Sequence, residues 1–426
     1  MKIAIAGFGI EGKSNYNYWA SDPKNIITIF DQKQPDMETP AGIKTIIGDD
    51  AFDKLMDYDL VVRTAGLTPR KIKTNGRIWT ATNEFFAKCP AQIIGVTGSK
   101  GKGTTASLIA SMLEAAGKKV WLVGNIGSPA LDVLGQITPT DIVVYELSSF
   151  QLWDIEKSPH IAIILFIEQE HLDNHSDMND YIQAKTNITK YQKPDDVLIY
   201  NQSNQYAIDV AKGSIAQLVG YPNDKTAHVF EECFYYNEQK ICSVNSLSIV
   251  GKFNYDNACA AIDAVWGITN NAAAIEKGLA MFKGLPHRLQ LVRELDGVKY
   301  YDDSIATIPG AAIAALRAFD ESKVIILGGS SKGSNFTELG SELKNHDVSA
   351  ILVGDEAENI AKACRAAGFS NFEILNGISM AKIVSRAQSH AKPGGVVLLS
   401  PACASFGLFK NYSDRGNQFI DAVNKL

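Results

Sequence analysis

The run Gly95-Val96-Thr97-Gly98-Ser99-Lys100-Gly101-Lys102-Gly103-Thr104-Thr105 lies between a short apolar segment, Gln92-Ile93-Ile94, and a helical pattern over Ala106 to Ala116. Strand, glycine-rich turn, lysine, hydroxyls and helix in this order admit few folds. The turn has to close between the end of a sheet and the start of a helix, which is the layout of a parallel α/β layer. Glycines let backbone N–H groups approach an anion with no Cβ in the way. The helix N-terminus adds partial positive charge, the lysine neutralises terminal phosphates, and a threonine hydroxyl reaches Mg²⁺. The run departs from the strict nucleotide-loop pattern at Thr97, where Gly is the rule, and at Gly103, which separates Lys102 from the threonines. Two readings follow, a phosphate cradle and a turn that binds nothing, and the flanking strand and helix favour the first.

At 426 residues the chain exceeds one ordinary core. Three βα-rich blocks emerge, predicting an α/β protein of three domains: 1–89, 90–283 and 284–426. The first opens with Lys2-Ile3-Ala4-Ile5-Ala6, continues through Ile26 to Phe30 and Leu60-Val61-Val62, and ends near Cys89-Pro90. The second has buried-strand runs at Lys119 to Val123, Ile142 to Tyr145, Ala162 to Phe166 and Val197 to Tyr200. Short alternating segments from Ala227 to Val250 read as antiparallel hairpins, and Asn254 to Trp266 as a helix. The third carries strands at Val324 to Leu327, Ala350 to Val353, Phe372 to Leu375 and Val396 to Leu399.

A net charge of −6 argues against nucleic acid as the main partner. The six cysteines show no metal-ligand spacing and read as reduced thiols. The longest apolar runs are too short to span a bilayer, so the expectation is a cytoplasmic protein with no membrane partner.

Further chemistry sits at strand ends, where open α/β sheets bind ligands. Gly7-x-Gly9-x-x-Gly12, with Asp31 closing the next strand, fits a dinucleotide fingerprint. The same turn serves NAD or a UDP-sugar pyrophosphate, or is a structural βα turn. Glu146, in Tyr145-Glu146-Leu147-Ser148-Ser149-Phe150-Gln151, has the placement of an Mg²⁺ ligand or of a solvent-facing glutamate at a strand end. Glu170-His171-Leu172-Asp173-Asn174-His175 has no recognised zinc spacing, so its histidines read as surface residues. Lys185 alone reads as an ordinary exposed lysine. Asp302-Asp303-Ser304, Lys332 and Ser400-Pro401-Ala402-Cys403-Ala404-Ser405 follow strands of the third block, with Cys403 expected to be a buried structural thiol.

Taken in order, these motifs resemble the Mur ligase family. The glycine-rich loop is followed by Glu146 to Gln151, His171-Leu172-Asp173, Ala184-Lys185, and Gly251-x-x-Asn254-x-x-Asn257. Leu285-Pro286-His287-Arg288, Asp303-Ser304 and Ser400 to Ser405 complete the series. The last, continued by Phe409-Lys410-Asn411-Tyr412 and Arg415-Gly416, points to the D-glutamate-adding branch. The resemblance implies three domains, for a UDP-sugar, for ATP and for the incoming amino acid, and it moves the reading of Gly7 to Gly12 from NAD to a UDP-sugar.

The implied reaction is ATP-dependent ligation of D-glutamate to UDP-N-acetylmuramoyl-L-alanine through an acyl phosphate, in peptidoglycan precursor synthesis, by a monomer. Gly98, Ser99, Lys100, Gly101, Lys102, Gly103, Thr104, Thr105, Asn257, Arg288 and Asp303 would bind ATP. Gly9, Ile10, Gly12, Asp31, Asn125 and Ser148 would bind the UDP substrate, and Thr307, Lys332, Ser405 and Tyr412 the amino acid. Two Mg²⁺ sites would draw on Thr104, Glu146, His171 and Lys185. The lysine matches one that CO₂ carbamylates, turning a cation into an anion. Catalysis would rest on Lys102, Glu146, His171 and Lys185. Ile305 and Ile308 stand where the D-glutamate branch often has Lys and Asn, so a related Mur-type or folylpolyglutamate-synthase-like ligase adding another amino acid, such as L-glutamate, is the alternative. A silent nucleotide-sugar-binding protein is the other, but it would have little use for this set of charged residues.

Overall fold

Strands buried on both faces need helices on both faces, and the apolar runs of this sequence are distributed accordingly. The computed structural model describes all residues except 36, 169–173, 376, 378 and 408. Among the described residues the strands form four sheets in two units, residues 1–246 with 255–281, and 247–254 with 282–426.

In the first unit, five parallel strands lie in the spatial order Lys44–Ile47, Ile26–Asp31, Lys2–Ala6, Leu60–Arg63, Arg77–Thr80. Six more parallel strands follow the order Gln217–Tyr221, Val197–Asn201, Ile161–Ile164, Gln92–Thr97, Ile142–Glu146, Val120–Gly124. The strand ahead of the glycine-rich loop is therefore internal, and Ile142–Glu146 beside it is buried at every residue. Phe85, Tyr145, Leu152, Ile164 and Tyr181 belong to one core cluster against this sheet. The predicted hairpins are a three-stranded antiparallel sheet, Ala227–Phe230, Cys233–Tyr236 and Gln239–Ser243.

The two parallel sheets of this unit are joined through Arg63, the last residue of Leu60–Arg63, whose side chain is fully buried. Its Nε donates to Asp154 at 2.8 Å, Nη2 to the Phe150 carbonyl at 2.9 Å and Nη1 to the Leu67 carbonyl at 3.1 Å. A guanidinium suits this place because its rigid fork reaches several acceptors at once.

The second unit holds a hairpin, Gln290–Leu295 with Val298–Asp302, extended by parallel strands Val396–Leu399, Lys323–Gly328, Val348–Val353 and Phe372–Leu375. Strands that escape the sequence reading, such as Lys44–Ile47, Arg77–Thr80 and Gln217–Tyr221, are sheet edges. They are partly exposed and lack a continuous apolar run.

One buried carboxylate in the first unit makes stability pH-dependent. Asp263, on the helix Phe253–Trp266, accepts the Ala227 N–H at 2.8 Å, and its second oxygen is buried without a hydrogen-bond partner among the described residues. Burial pushes its pKa up to about 7, the Ala227 N–H opposing only in part. The folded state then holds a proton that the unfolded chain releases near pH ~4. This group's stabilising contribution is full below that pH, is lost as pH rises towards 7, and is flat above. Asp263→Asn keeps the acceptor for Ala227 and removes the loss. Denaturant unfolding at pH 8 is expected to show the variant more stable than the parent, by up to about 4 kcal/mol, with the advantage gone at pH 4. Equal stabilities at both pH values would refute the assignment.

Candidate active site

The glycine-rich loop forms the edge of a cradle. Gly98 and Gly101 have φ of 155° and 85°. A Cβ on Gly98 would stand 2.7 Å from Leu165 Cβ, and one on Gly101 would land on the Asn257 side-chain oxygen. Both need glycine for backbone conformation and for space. Gly101 caps the helix Lys102–Ala115, which opens at Lys102 rather than at Ala106. Lys102-Gly103-Thr104-Thr105 carry no apolar period, so their helical state is not visible in the pattern. The loop is tied down by Ser99, whose N–H donates to the Phe166 carbonyl at 2.8 Å and whose hydroxyl lies 2.9 Å from the Tyr181 hydroxyl. Lys102 Nζ donates to the carbonyls of Gly98 at 3.0 Å and Ser99 at 2.8 Å. Lys100 pairs with Glu168. Thr104 and Thr105 are buried, and the Thr105 hydroxyl donates to the Asn257 oxygen at 3.4 Å. Asn257 therefore touches the loop directly.

A cavity of about 450 Å³ opens beside the loop. Lys102, Asn125, Glu146, Ser148 and Lys185 line it, with Ala65 and Gly66 contributed by the segment after Leu60–Arg63. Glu146 arrives there because its strand pairs in register with both neighbours, Glu146 opposite Val96 and opposite Gly124. Lys185 corrects the sequence expectation of an exposed side chain. It is 1% exposed, donates to the Gly98 carbonyl at 2.7 Å and sits 4.6 Å from the Tyr181 ring centre. His171, with Glu170 and Asp173, lies outside the described residues. His175, expected at the surface, is buried instead.

The described donors suit a hard cation that keeps part of its water shell. Glu146 supplies a carboxylate to the cavity, Thr104 lies buried in the first turn of Lys102–Ala115, and Lys185 would supply oxygens only as its carbamate. Among the described residues no group of three or more His, Cys, Asp or Glu side chains could hold a metal ion.

The first glycine turn joins the strand Lys2–Ala6 to the helix Ile10–Ala20. Gly7 has φ of 93°, and Gly9 precedes the helix Ile10–Ala20. A Cβ on Gly12 would collide with the Gly7 carbonyl. Asp31 accepts the Phe8 N–H at 2.7 Å and the Lys33 N–H at 3.2 Å, so its carboxylate holds the turn closed. Ile10 is 71% exposed. Glu11 accepts the Ala65 N–H at 2.7 Å, and burial raises its pKa, with Ala65 and Arg63 opposing. Ser148 caps the short helix Ser149–Leu152, exchanging hydrogen bonds with Gln151 while lining the cavity.

In the second unit Asp303 is buried, accepts the Ser400 hydroxyl at 2.6 Å and the Leu289 N–H at 3.2 Å, and is pushed up to about 7 by burial. Arg288 and Lys332 are exposed, Thr307 is half-buried, Ser405 is buried and Tyr412 is 40% exposed. Arg415 organises this neighbourhood, a role the sequence reading missed because a lone Arg-Gly pair carries no local signal. Its guanidinium donates to the Ser304 hydroxyl at 2.9 Å, the Ser304 carbonyl at 2.8 Å and the Cys403 carbonyl at 3.1 Å. Ser304 in turn donates to the Tyr412 carbonyl at 2.8 Å. Cys403 is buried, and desolvation drives its thiol up to about 12, consistent with a structural thiol.

Residues 96–265 match the Mur ligase middle domain and residues 287–403 the Mur ligase glutamate ligase domain. The chain is also 34% identical to a UDP-N-acetylmuramoylalanine–D-glutamate ligase of Clostridium tetani, the alignment covering 100% of this chain and 97% of that protein. The chain belongs to the Mur ligase family. A second relative of the same name, from Acetivibrio thermocellus, is 35% identical over 100% of this chain and 96% of its own. The fold is similar to that of the UDP-N-acetylmuramate-alanine ligase MurC of Thermotoga maritima, with a TM-score of 0.63 and 17% identity over 100% and 99% of the two chains. As a Mur ligase the protein forms amide bonds with ATP as co-substrate.

Proposed function

We propose that this Mur ligase joins D-glutamate to UDP-N-acetylmuramoyl-L-alanine through an acyl phosphate. The observation that carries the reading is the convergence of Lys102, Lys185, Asn125 and Glu146 on one cavity beside a glycine-rich loop. A substrate carboxylate and the γ-phosphate of ATP repel each other, and the first step must bring them together. Backbone N–H groups of Gly98 to Gly103 and the cation of Lys102 offset that repulsion. Asn125 orients the acceptor carboxylate. Mg²⁺ held by Thr104, Glu146, His171 and carbamylated Lys185 at two sites would neutralise phosphate charge further. In the second step the amine of glutamate attacks the acyl carbon and phosphate leaves.

Gly9, Ile10, Gly12, Asp31, Asn125 and Ser148 are assigned to the UDP substrate. Arg288 and Asp303 are assigned to ATP, and Thr307, Lys332, Ser405 and Tyr412 to glutamate, with Lys332 supplying the cation for a carboxylate. The proposed domain limits are 1–89, 90–283 and 284–426, in a cytoplasmic monomer. No helix among the described residues is long and apolar enough to cross a membrane.

The test is phosphate release with ATP, Mg²⁺ and UDP-N-acetylmuramoyl-L-alanine, offering D-glutamate, L-glutamate, D-aspartate and L-alanine in turn. D-glutamate is expected to exceed each of the others at least about a hundredfold in kcat/KM, since a mispaired polar group in the pocket costs a few kcal/mol. Preference for another amino acid overturns the specificity. No turnover with any of them overturns the proposed reaction.

A further inference from the structure

Ser149 lies beside Ser148 and also lines the cavity. Its Oγ is 3.0 Å from His175 Nε2, and His175 Nδ1 is 3.1 Å from one oxygen of Asp180. The other Asp180 oxygen pairs with Arg70, which comes from the segment following Leu60–Arg63. The imidazole is buried against the rings of Trp153, 4.6 Å away, and Phe150, 5.4 Å away and nearly parallel. Burial works to raise the Asp180 carboxyl, but the Ser176 N–H, His175 and Arg70 outweigh it and hold the group below its ordinary range. An ionised Asp180 accepts from Nδ1–H, which leaves the Nε2 lone pair to accept the Ser149 hydroxyl proton. The Ser149 oxygen then offers its lone pairs to the cavity, as an acceptor among donors.

The geometry points to Ser149, His175 and Asp180 as a proton relay that deprotonates the incoming amine in the second half-reaction. This rests on the ligase reading above. The amine of D-glutamate arrives as an ammonium, which has no lone pair to attack with. It gives one proton to Ser149 Oγ as the serine proton passes to His175 Nε2, and Asp180 holds the imidazolium until it returns the proton to water. The neutral amine then attacks the acyl carbon, its lone pair forming the C–N bond. The C–O bond to phosphate breaks, and phosphate leaves with the electron pair and takes up the remaining extra proton of the adduct nitrogen. Ser149 is the group that touches substrate. His175 takes the proton through it, and Asp180 and Arg70 are positioning residues.

Hydroxylamine tests this, because it is unprotonated at neutral pH, attacks acyl phosphates and needs no strong base. Purified parent, Ser149→Ala, Asp180→Asn and His175→Gln proteins are assayed with ATP and UDP-N-acetylmuramoyl-L-alanine, using D-glutamate or hydroxylamine as acceptor. Amide formation with D-glutamate is expected to fall about a hundredfold in each variant, while hydroxamate formation stays within about threefold of the parent. Parallel losses with both acceptors would reduce the three residues to a structural role and overturn the relay. So would unchanged amide formation in Ser149→Ala, which removes a single oxygen and keeps the proposal testable if His175→Gln does not fold. A parent that makes hydroxamate but no amide would instead count against the glutamate reading.

Discussion

Replacing Lys102 by alanine is expected to lower kcat by about a thousandfold, the scale of removing one charge that acts on a transferring phosphoryl group. The lysine opens the helix Lys102–Ala115 and reaches back over its own loop to the carbonyls of Gly98 and Ser99. On the proposed mechanism its ammonium would stand where charge accumulates as the γ-phosphate moves to a carboxylate. ATP affinity should fall much less, since the loop N–H groups and the helix terminus remain. The fold should survive, because the side chain lies in a partly open cavity rather than in the core. Single-turnover acyl-phosphate formation and ATP binding, measured separately, check the split. A variant that binds ATP poorly but turns over at the parental rate when saturated would assign Lys102 to binding alone. Lys102→Arg should recover little, because the planar fork cannot replace a compact ammonium in this space.

Lys185→Ala is the second large effect. The parent amine is buried, donates to the Gly98 carbonyl at 2.7 Å and faces the Tyr181 ring. Two roles compete for this residue: a cation that steadies the loop, and a carbamate that supplies oxygens to a metal. The substitution is expected to reduce kcat at least about a hundredfold in either case. The roles separate on rescue. A short carboxylate such as acetate, added to Lys185→Ala, should restore part of the activity if an anion is needed. It should do nothing, or inhibit, if the ammonium is what matters. Full activity of the variant without any additive would remove Lys185 from the mechanism.

The difference between these two lysines shows where sequence reading reaches. Lys102 is legible because its whole context is local. Strand, glycines, lysine and helix are contiguous, and the chemistry of a phosphate cradle is carried by backbone N–H groups that those glycines expose. Lys185 looks like an exposed helical lysine, and only packing of Met178–Thr186 beside the loop buries it. The resemblance to a known family singles it out, whereas the residues around it do not. Asp31 is legible by its place at the end of a strand, whereas the hydrogen bond its carboxylate accepts from the Phe8 N–H of the first glycine turn appears only in the fold.

The sequence by itself determines the parallel α/β architecture, the internal strands and both glycine turns. Periodicity, buried apolar runs and positive-φ glycines are local properties, and they leave few topologies open. Tertiary structure alone decides the edge strands, the buried Arg63 and Arg415 anchors, and the Ser149–His175–Asp180 alignment. Those depend on side chains far apart in the chain meeting at fixed distances in an interior that excludes water. There an unpaired charge or hydroxyl is costly, and the partners of Arg63, Arg415 and Ser149 are ones that no local pattern announces.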